Sequence, residues 1–74
     1  MIKDRDKDYI VEFGKNLRKL RLKANLTQEE LGNNAEISKN QVGLIERGEI
    51  NVTLSTLKKI AKHLGVHPKA LLDF

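Results

Sequence analysis

Two helix start signals follow one another closely in the middle of this 74-residue chain. In the first, the Thr27 hydroxyl can accept a hydrogen bond from the Glu30 amide, while the Glu30 carboxylate bonds back to the Thr27 amide. Ser38 and Gln41 repeat the same spacing. Each signal is flanked by the hydrophobic pair that stabilises such a start, Leu26 with Leu31 and Ile37 with Val42. The pattern predicts two short capped helices with a tight turn between them.

The ends of both helices can also be placed from the sequence. The first is expected to end near Ala35 and the second near Arg47, where Gly48 can adopt the left-handed conformation of a C-terminal cap. Two helices of about two turns, joined by a turn of about three residues, have the spacing of a helix-turn-helix. We therefore predict that motif over about residues 27–47.

Amphipathic helices flank this motif on both sides. Before it, apolar residues at steps of three and four predict a helix over 9–24 that ends at Asn25. After it, a helix is predicted to start at Thr53 and to end at Gly65, and Pro68 occupies the first position of a final short helix. The fold class is therefore expected to be all-α, a five-helix bundle without strands.

The apolar faces of these helices define a single core, because a chain of this length holds only one domain. Residues 1–8 are charged and are expected to form a solvated lead-in that is either flexible and frayed or weakly helical, which leaves 9–74 as the domain. Gly14 weakens its helix, so we expect another element to approach closely there. The predicted core residues are Phe13, Leu17, Leu20, Leu31, Ala35, Ile37, Val42, Ile45, Leu54, Leu57, Ile60, Ala61 and Leu64.

Composition argues against several classes of function. The chain has no cysteine, which removes disulfides, thiolate metal sites and a cysteine nucleophile, and suits a reducing compartment. No apolar run approaches the roughly 20 residues of a membrane span, and the N-terminus is too charged for a signal peptide, so we expect a cytoplasmic protein. His63 and His67 are separated by the helix-ending Gly65, and no catalytic motif is present. We expect no enzyme activity and no cofactor, metal or small-molecule ligand.

Three segments carry a family resemblance. They are Leu26-Thr-Gln-Glu-Glu-Leu-Gly32, Ile45-Glu-Arg-Gly48 and Leu57-Lys-Lys-Ile-Ala-Lys-His-Leu-Gly-Val66. In this order and at this spacing they resemble the Xre-type, phage-repressor-like (Cro/C1-type) helix-turn-helix family over residues 10–74. The resemblance implies a five-helix domain that binds double-stranded DNA, usually as a symmetric dimer, and regulates transcription. The net charge of +4 favours the same anionic partner.

The second helix of the motif, over about 38–47, is the expected recognition helix in the major groove. Its polar face offers a lysine, which can donate to guanine, an asparagine, which can pair with adenine, and a leucine, which can touch a thymine methyl. The resemblance implies base reading by Lys39, Asn40, Gly43 and Leu44. Gly43 would let the helix backbone come close to the groove floor.

Other residues are expected to position this helix. The resemblance implies that Gln28 contacts a phosphate, with help from the amides at its helix N-terminus. Ser38 and Arg47 are further predicted phosphate contacts. Arg21 and Glu46 occupy positions that pair in the resembling family, so we expect an ion pair that joins the first helix to the recognition helix.

The sequence departs from the family pattern at two positions. Glu36 stands in the turn of the motif where glycine is common and where a left-handed backbone is favoured, so Asn33 or Asn34 could take part of that turn instead. Gly32 stands where alanine is more usual, which keeps a close helix contact but lowers helix propensity. Both departures indicate modest stability.

One recognition helix covers only a half-site, so a homodimer is expected. The C-terminal segment has more apolar residues than a short helix can bury, and we expect Leu71 to cover the core while Val66, Leu72 and Phe74 face the partner. The alternative is a monomer that pairs only on DNA. A different class of function is a protein-interaction module, such as a toxin-binding antitoxin with weak or no DNA binding. It would need an apolar outward face on residues 38–47, and on that face only Leu44 is apolar.

Overall fold

The computed structural model describes residues 4–74, and it contains no strand in that range. Four α-helices form within these residues: α1 over Asp4–Lys23, α2 over Gln28–Ala35, α3 over Lys39–Glu46 and α4 over Leu54–Leu64. A 3-10 helix follows over Pro68–Leu72. The all-α prediction is confirmed, but the predicted count of five α-helices is wrong.

The fifth predicted helix is a 3-10 helix because the segment is too short for a ladder of α-helical hydrogen bonds. The Ala70 N–H donates to the His67 carbonyl oxygen over 2.9 Å, three residues back, and Pro68 has no N–H to donate. The buried Asn16 side chain of α1 holds the segment in place, since its Nδ2 donates to the carbonyl oxygens of Ala70 and Leu71 at 2.9 and 3.0 Å.

The first helix begins more than a turn before the predicted start at Tyr9. The first three residues of the predicted lead-in lie outside the described range, but from Asp4 onward the lead-in is the first part of α1. Acidic residues such as Asp6 and Asp8 favour a helix N-terminus, whose partial charge is positive. The ring of Tyr9 also packs against that of Phe74, with centroids 5.1 Å apart. This contact places Tyr9 of α1 beside the C-terminal segment.

The predicted start signals cap both helices of the motif. At α2 the capping box is complete: Glu30 N–H donates to Thr27 Oγ1 over 3.0 Å, and Thr27 N–H donates to Glu30 Oε1 over 2.8 Å. At α3 only the first half forms among the described contacts, with Gln41 N–H donating to Ser38 Oγ over 3.0 Å. Gly48 has the predicted left-handed backbone after α3, with φ 73°.

The core forms where these helices meet, and it contains most of the predicted residues. Leu20, Ile37 and Leu57 are only partly buried, and the prediction for Leu54 is wrong, since that side chain is 83% exposed. Leu54 is the first residue of α4, and its side chain lines a surface groove instead of entering the core. Leu71 is fully buried, as expected for the residue that covers the core.

The turn between α2 and α3 is made by Glu36 itself. Its backbone is left-handed, with φ 61° and ψ 36°, whereas Asn33 and Asn34 remain helical, so neither asparagine takes part of the turn. The turn backbone passes close to α2 at Gly32, where a Cβ would lie 2.7 Å from the Ile37 carbonyl oxygen. The close contact expected at Gly32 is therefore with the turn.

Glu36→Gly is expected to raise the free energy of unfolding by about 1 kcal/mol, because glycine reaches this conformation without a Cβ clash. The exposed ion pair lost with Glu36, to Lys59 at 3.8 Å, contributes little. Urea denaturation followed by circular dichroism measures the change. Asn25→Gly is the matched control: Asn25 also has a positive φ, of 59°, but asparagine tolerates it better. Equal gains at both positions would contradict strain at Glu36.

Candidate nucleic-acid interface

The recognition helix α3 has one buried face and one polar face. Val42 and Ile45 are buried in the core, which fixes the rotation of the helix about its axis. That rotation leaves Lys39 and Asn40 exposed in the first turn and Leu44 half-buried one turn later. The side chains that the sequence predicts to read bases therefore follow one side of α3.

A shallow depression runs along this polar face. It is lined by all four predicted base-reading residues and by two of the predicted phosphate contacts: Gln28, Lys39, Asn40, Gly43, Leu44 and Arg47. The third predicted phosphate contact, Ser38, is exposed at the start of α3. Its oxygen accepts the Gln41 amide, which leaves the hydroxyl proton free to donate to an anion.

Gly43 lies beneath two side chains of this depression. A Cβ at Gly43 would lie 3.0 Å from Arg47 Nη1 and 3.7 Å from Gln28 Nε2. The missing side chain therefore provides the space in which the Arg47 and Gln28 head groups rest on α3. The sequence predicts only a close approach to DNA at this position and does not indicate this packing.

A buried ion pair joins α1 to α3 behind the depression. Arg21 Nε lies 2.5 Å from Glu46 Oε2, and Arg21 Nη2 lies 3.1 Å from Glu46 Oε1, so the pair is bidentate. The two side chains are only 8% and 4% exposed. Arg21 Nη1 also donates to the Leu26 carbonyl oxygen over 2.8 Å, which anchors the segment just before α2.

Gln28 is linked to this pair, a connection that the sequence does not reveal. Its Nε2 donates to Glu46 Oε1 over 3.1 Å. One N–H of the amide is thereby directed to Glu46, and the other, at the N-terminus of α2, makes no hydrogen bond within residues 4–74. Sequence reasoning missed this link because the two residues are far apart in the chain and neither sits in a motif with the other.

A second surface is apolar and lies between α1, the α3–α4 connection and α4. We call it the apolar groove; its lining comprises Tyr9, Ile10, Phe13, Ile50, Asn51, Val52, Leu54, Leu57 and Leu72. Of the predicted dimer residues, Leu72 and Phe74 are exposed at this surface or beside it, and Val66 is half-buried against the core. Leu54 and Tyr9 are exposed there as well.

Within residues 4–74 no helix is long and apolar enough to cross a membrane. The same part of the chain brings no three metal-ligating side chains together.

The helix-turn-helix geometry defines the class of protein, and comparison with known proteins identifies the family. The sequence model of the family HTH_3, described as Helix-turn-helix, matches residues 17–71, and the chain belongs to this family. It is 46% identical over 63 residues to control protein C.BamHI of Bacillus amyloliquefaciens, covering 84% of this chain and 78% of that protein. It is 34% identical over 59 residues to the immunity repressor protein of Bacillus phage phi105, covering 80% of this chain and 41% of that protein.

A solved structure shows the same fold. The restriction-modification controller protein C.AhdI from Aeromonas hydrophila superposes with a TM-score of 0.82 at 39% identity, covering 84% of this chain and 94% of that one. The family match and these relatives confirm the Xre-type, repressor-like resemblance seen in the sequence. The chain is a DNA-binding transcriptional regulator.

Proposed function

We propose that this regulator binds a specific, roughly palindromic operator as a homodimer, with α3 of each copy in the major groove. The observation that carries the proposal is the depression on α3, in which the predicted base-reading side chains lie beside Gln28 and Arg47. The proposal includes no enzyme activity, cofactor or small-molecule ligand. The relatives of the chain include a control protein, C.BamHI, and a restriction-modification controller protein, C.AhdI, so we also propose a controller role in the cytoplasm.

Each side chain of the depression suits a part of this role. Lys39 and Asn40 are exposed and sit at the N-terminal end of α3, the end of a recognition helix that reaches base edges. Leu44 offers an apolar contact for a thymine methyl. The free N–H of Gln28 and the amides at the start of α2 suit a phosphate, as does the Ser38 hydroxyl.

Binding-site selection from random duplexes tests the assignment of base-reading residues. Lys39→Ala and Asn40→Ala are expected to change the preferred sequence, by about 1–3 kcal/mol per lost base contact, because bidentate contacts carry base discrimination. Lys62→Ala on α4 is the matched control for the lost positive charge, and it should keep the wild-type preference. If both α3 variants select the wild-type consensus, the assignment is wrong.

The apolar groove supports the homodimer. Half-sites of a palindromic operator lie about 34 Å apart, so two copies must meet through a self-complementary surface away from α3. The exposed Leu54, Leu72 and Phe74 are large apolar side chains around one groove, and pairing two copies would remove them from water. A small patch of this kind gives a weak, reversible dimer.

Leu54→Asp is expected to shift the protein to monomer, because a carboxylate would have to be buried between the two copies. Analytical ultracentrifugation over a wide concentration range measures the shift. Leu22→Asp is the matched control, since Leu22 is also exposed, at 54%, but does not line the groove. Wild-type protein that stays monomeric at every concentration, or a dimer unchanged by Leu54→Asp, would contradict this interface.

A second candidate function, docking of a different protein such as a toxin, is favoured by the same groove. This docking function predicts that DNA binding is weak and that the polar face of α3 is not required for docking. A gel-shift titration against the DNA upstream of the chain's own gene, at two salt concentrations, separates the two. Tight, salt-dependent and sequence-dependent binding supports the regulator of an operator, whereas equal, weak binding to all DNA supports the docking module.

A further inference from the structure

The Arg47 side chain does not point away from the domain as a free surface arginine would. It follows the last residue of α3 and leans back over the helix, so that its Nη1 lies 3.0 Å from the position of a Cβ on Gly43. Long side chains on a helix lean towards its N-terminus, and Gly43 leaves room for this one. Arg47 Nη1 therefore lies over Gly43, in the depression that Lys39, Asn40 and Leu44 also line.

Glu49 holds Arg47 in this position. Its Oε2 lies 2.5 Å from Arg47 Nε, and both side chains are about half exposed, at 52% and 60%. The backbone of Glu49 is fixed by the end of α3, because its N–H donates to the Leu44 carbonyl oxygen over 2.9 Å, and Gly48 N–H donates to that of Ile45 over 3.0 Å. The carboxylate is thus attached to a rigid cap and is aimed at one edge of the guanidinium.

This contact divides the donors of Arg47 into two groups. The Nε–H is taken by Glu49, whereas Nη1 lies over Gly43 and the two terminal nitrogens make no hydrogen bond to the part of the chain that the structure describes. A phosphate approaching the Nε edge would meet a carboxylate of like charge. A guanine presents two acceptors in the major groove, O6 and N7, which match a pair of arginine N–H donors.

We infer that Arg47 reads a base, and that Glu49 is the positioning residue that directs its terminal nitrogens to the groove and away from the phosphates. The sequence alone predicts a phosphate contact for Arg47, so the two assignments make opposite predictions. The inference rests on the proposed function, since it requires that α3 binds in the major groove. Glu49 then increases sequence specificity, because it limits the contacts of Arg47 with phosphates, which would strengthen binding to every DNA sequence alike.

The test uses the full chain and the duplex obtained by binding-site selection. Each base pair of one half-site is replaced in turn, and the loss of affinity is measured for wild type, Arg47→Gln, Glu49→Gln and the double variant. Wild type is expected to show at least one position whose penalty is about tenfold or more, and in Arg47→Gln that penalty is expected to vanish. In Glu49→Gln the penalty at the same position is expected to shrink several-fold, while the penalties at other positions stay unchanged.

Non-operator DNA supplies a second readout. Glu49→Gln is expected to bind it about fivefold more tightly, since Arg47 is freed to contact the phosphate backbone. The slope of the logarithm of the binding constant against the logarithm of salt concentration should steepen by up to the amount that one phosphate contact contributes. Glu12→Gln is the matched control, because Glu12 also forms an exposed ion pair, to Lys15 at 3.7 Å, on α1. It removes the same charge and should change neither readout. In the Arg47→Gln background, Glu49→Gln should have no greater effect than Glu12→Gln.

Two results would overturn the inference. The first is an Arg47→Gln variant that loses affinity by the same factor for every duplex, which would make Arg47 a phosphate contact. The second is a Glu49→Gln variant that matches Glu12→Gln in every measurement, or whose effect persists without Arg47. If wild-type protein selects no consensus at all, the proposed function itself fails, which is a different outcome from either.

Discussion

Glu46→Ala is expected to lower the free energy of unfolding by about 3–5 kcal/mol, because it leaves the buried Arg21 guanidinium without a counter-charge. A domain of this size is stable by only about 5–15 kcal/mol, so the variant should approach the unfolding threshold. Urea denaturation at low temperature, followed by circular dichroism, measures the loss. Glu12→Ala, which breaks an exposed pair, should change the free energy by less than about 1 kcal/mol.

The double variant Arg21→Met, Glu46→Leu separates the effect of the buried ion pair on stability from the effect of Glu46 on DNA binding. Apolar residues of similar volume can replace a buried ion pair at little expense in stability, so the double variant should recover most of what Glu46→Ala loses. Because Gln28 would still lose its acceptor on Glu46, DNA affinity should remain reduced when stability returns. A Glu46→Ala variant as stable as wild type would show that the pair is not buried in solution.

The features that the sequence predicted correctly depend on residues close together in the chain. The Thr27 capping box and the left-handed Gly48 are decided within one or two turns, and both form as expected. The all-α class follows from the same local patterns. The type of the last helix did not follow, because an α-helix and a 3-10 helix of five residues share the same start signal at His67 and Pro68.

The interactions that were missed depend on tertiary placement. The link from Gln28 to Glu46 and the bonds from Asn16 to the C-terminal segment join residues that no local motif relates. Leu54 lies at the start of α4 on the apolar groove and is exposed, although its spacing in α4 suits a core position. The contact of Glu49 with Arg47 is close in sequence, but its direction depends on the backbone reversal at Gly48.

Gly14→Ala is expected to destabilise the domain by about 1–3 kcal/mol or more, even though alanine has the higher helix propensity. The added Cβ would lie 2.4 Å from the Ile45 carbonyl oxygen and 2.6 Å from that of Glu46. Both atoms belong to the backbone of α3, so no side chain can rotate away to relieve the contact. The close approach predicted for Gly14 from the sequence is therefore the point at which α1 meets the recognition helix.

Gly43→Ala provides the matched comparison, because it is the same substitution in α3 with a different neighbour. Its Cβ would meet Arg47 Nη1 at 3.0 Å, the end of a flexible side chain that can move. Stability should then stay equal or rise by up to about 1 kcal/mol through helix propensity. Thermal and urea unfolding should therefore show a loss of stability for Gly14→Ala and no loss for Gly43→Ala. If Gly14→Ala were as stable as Gly43→Ala, α1 and α3 could not be packed as closely as the structure shows.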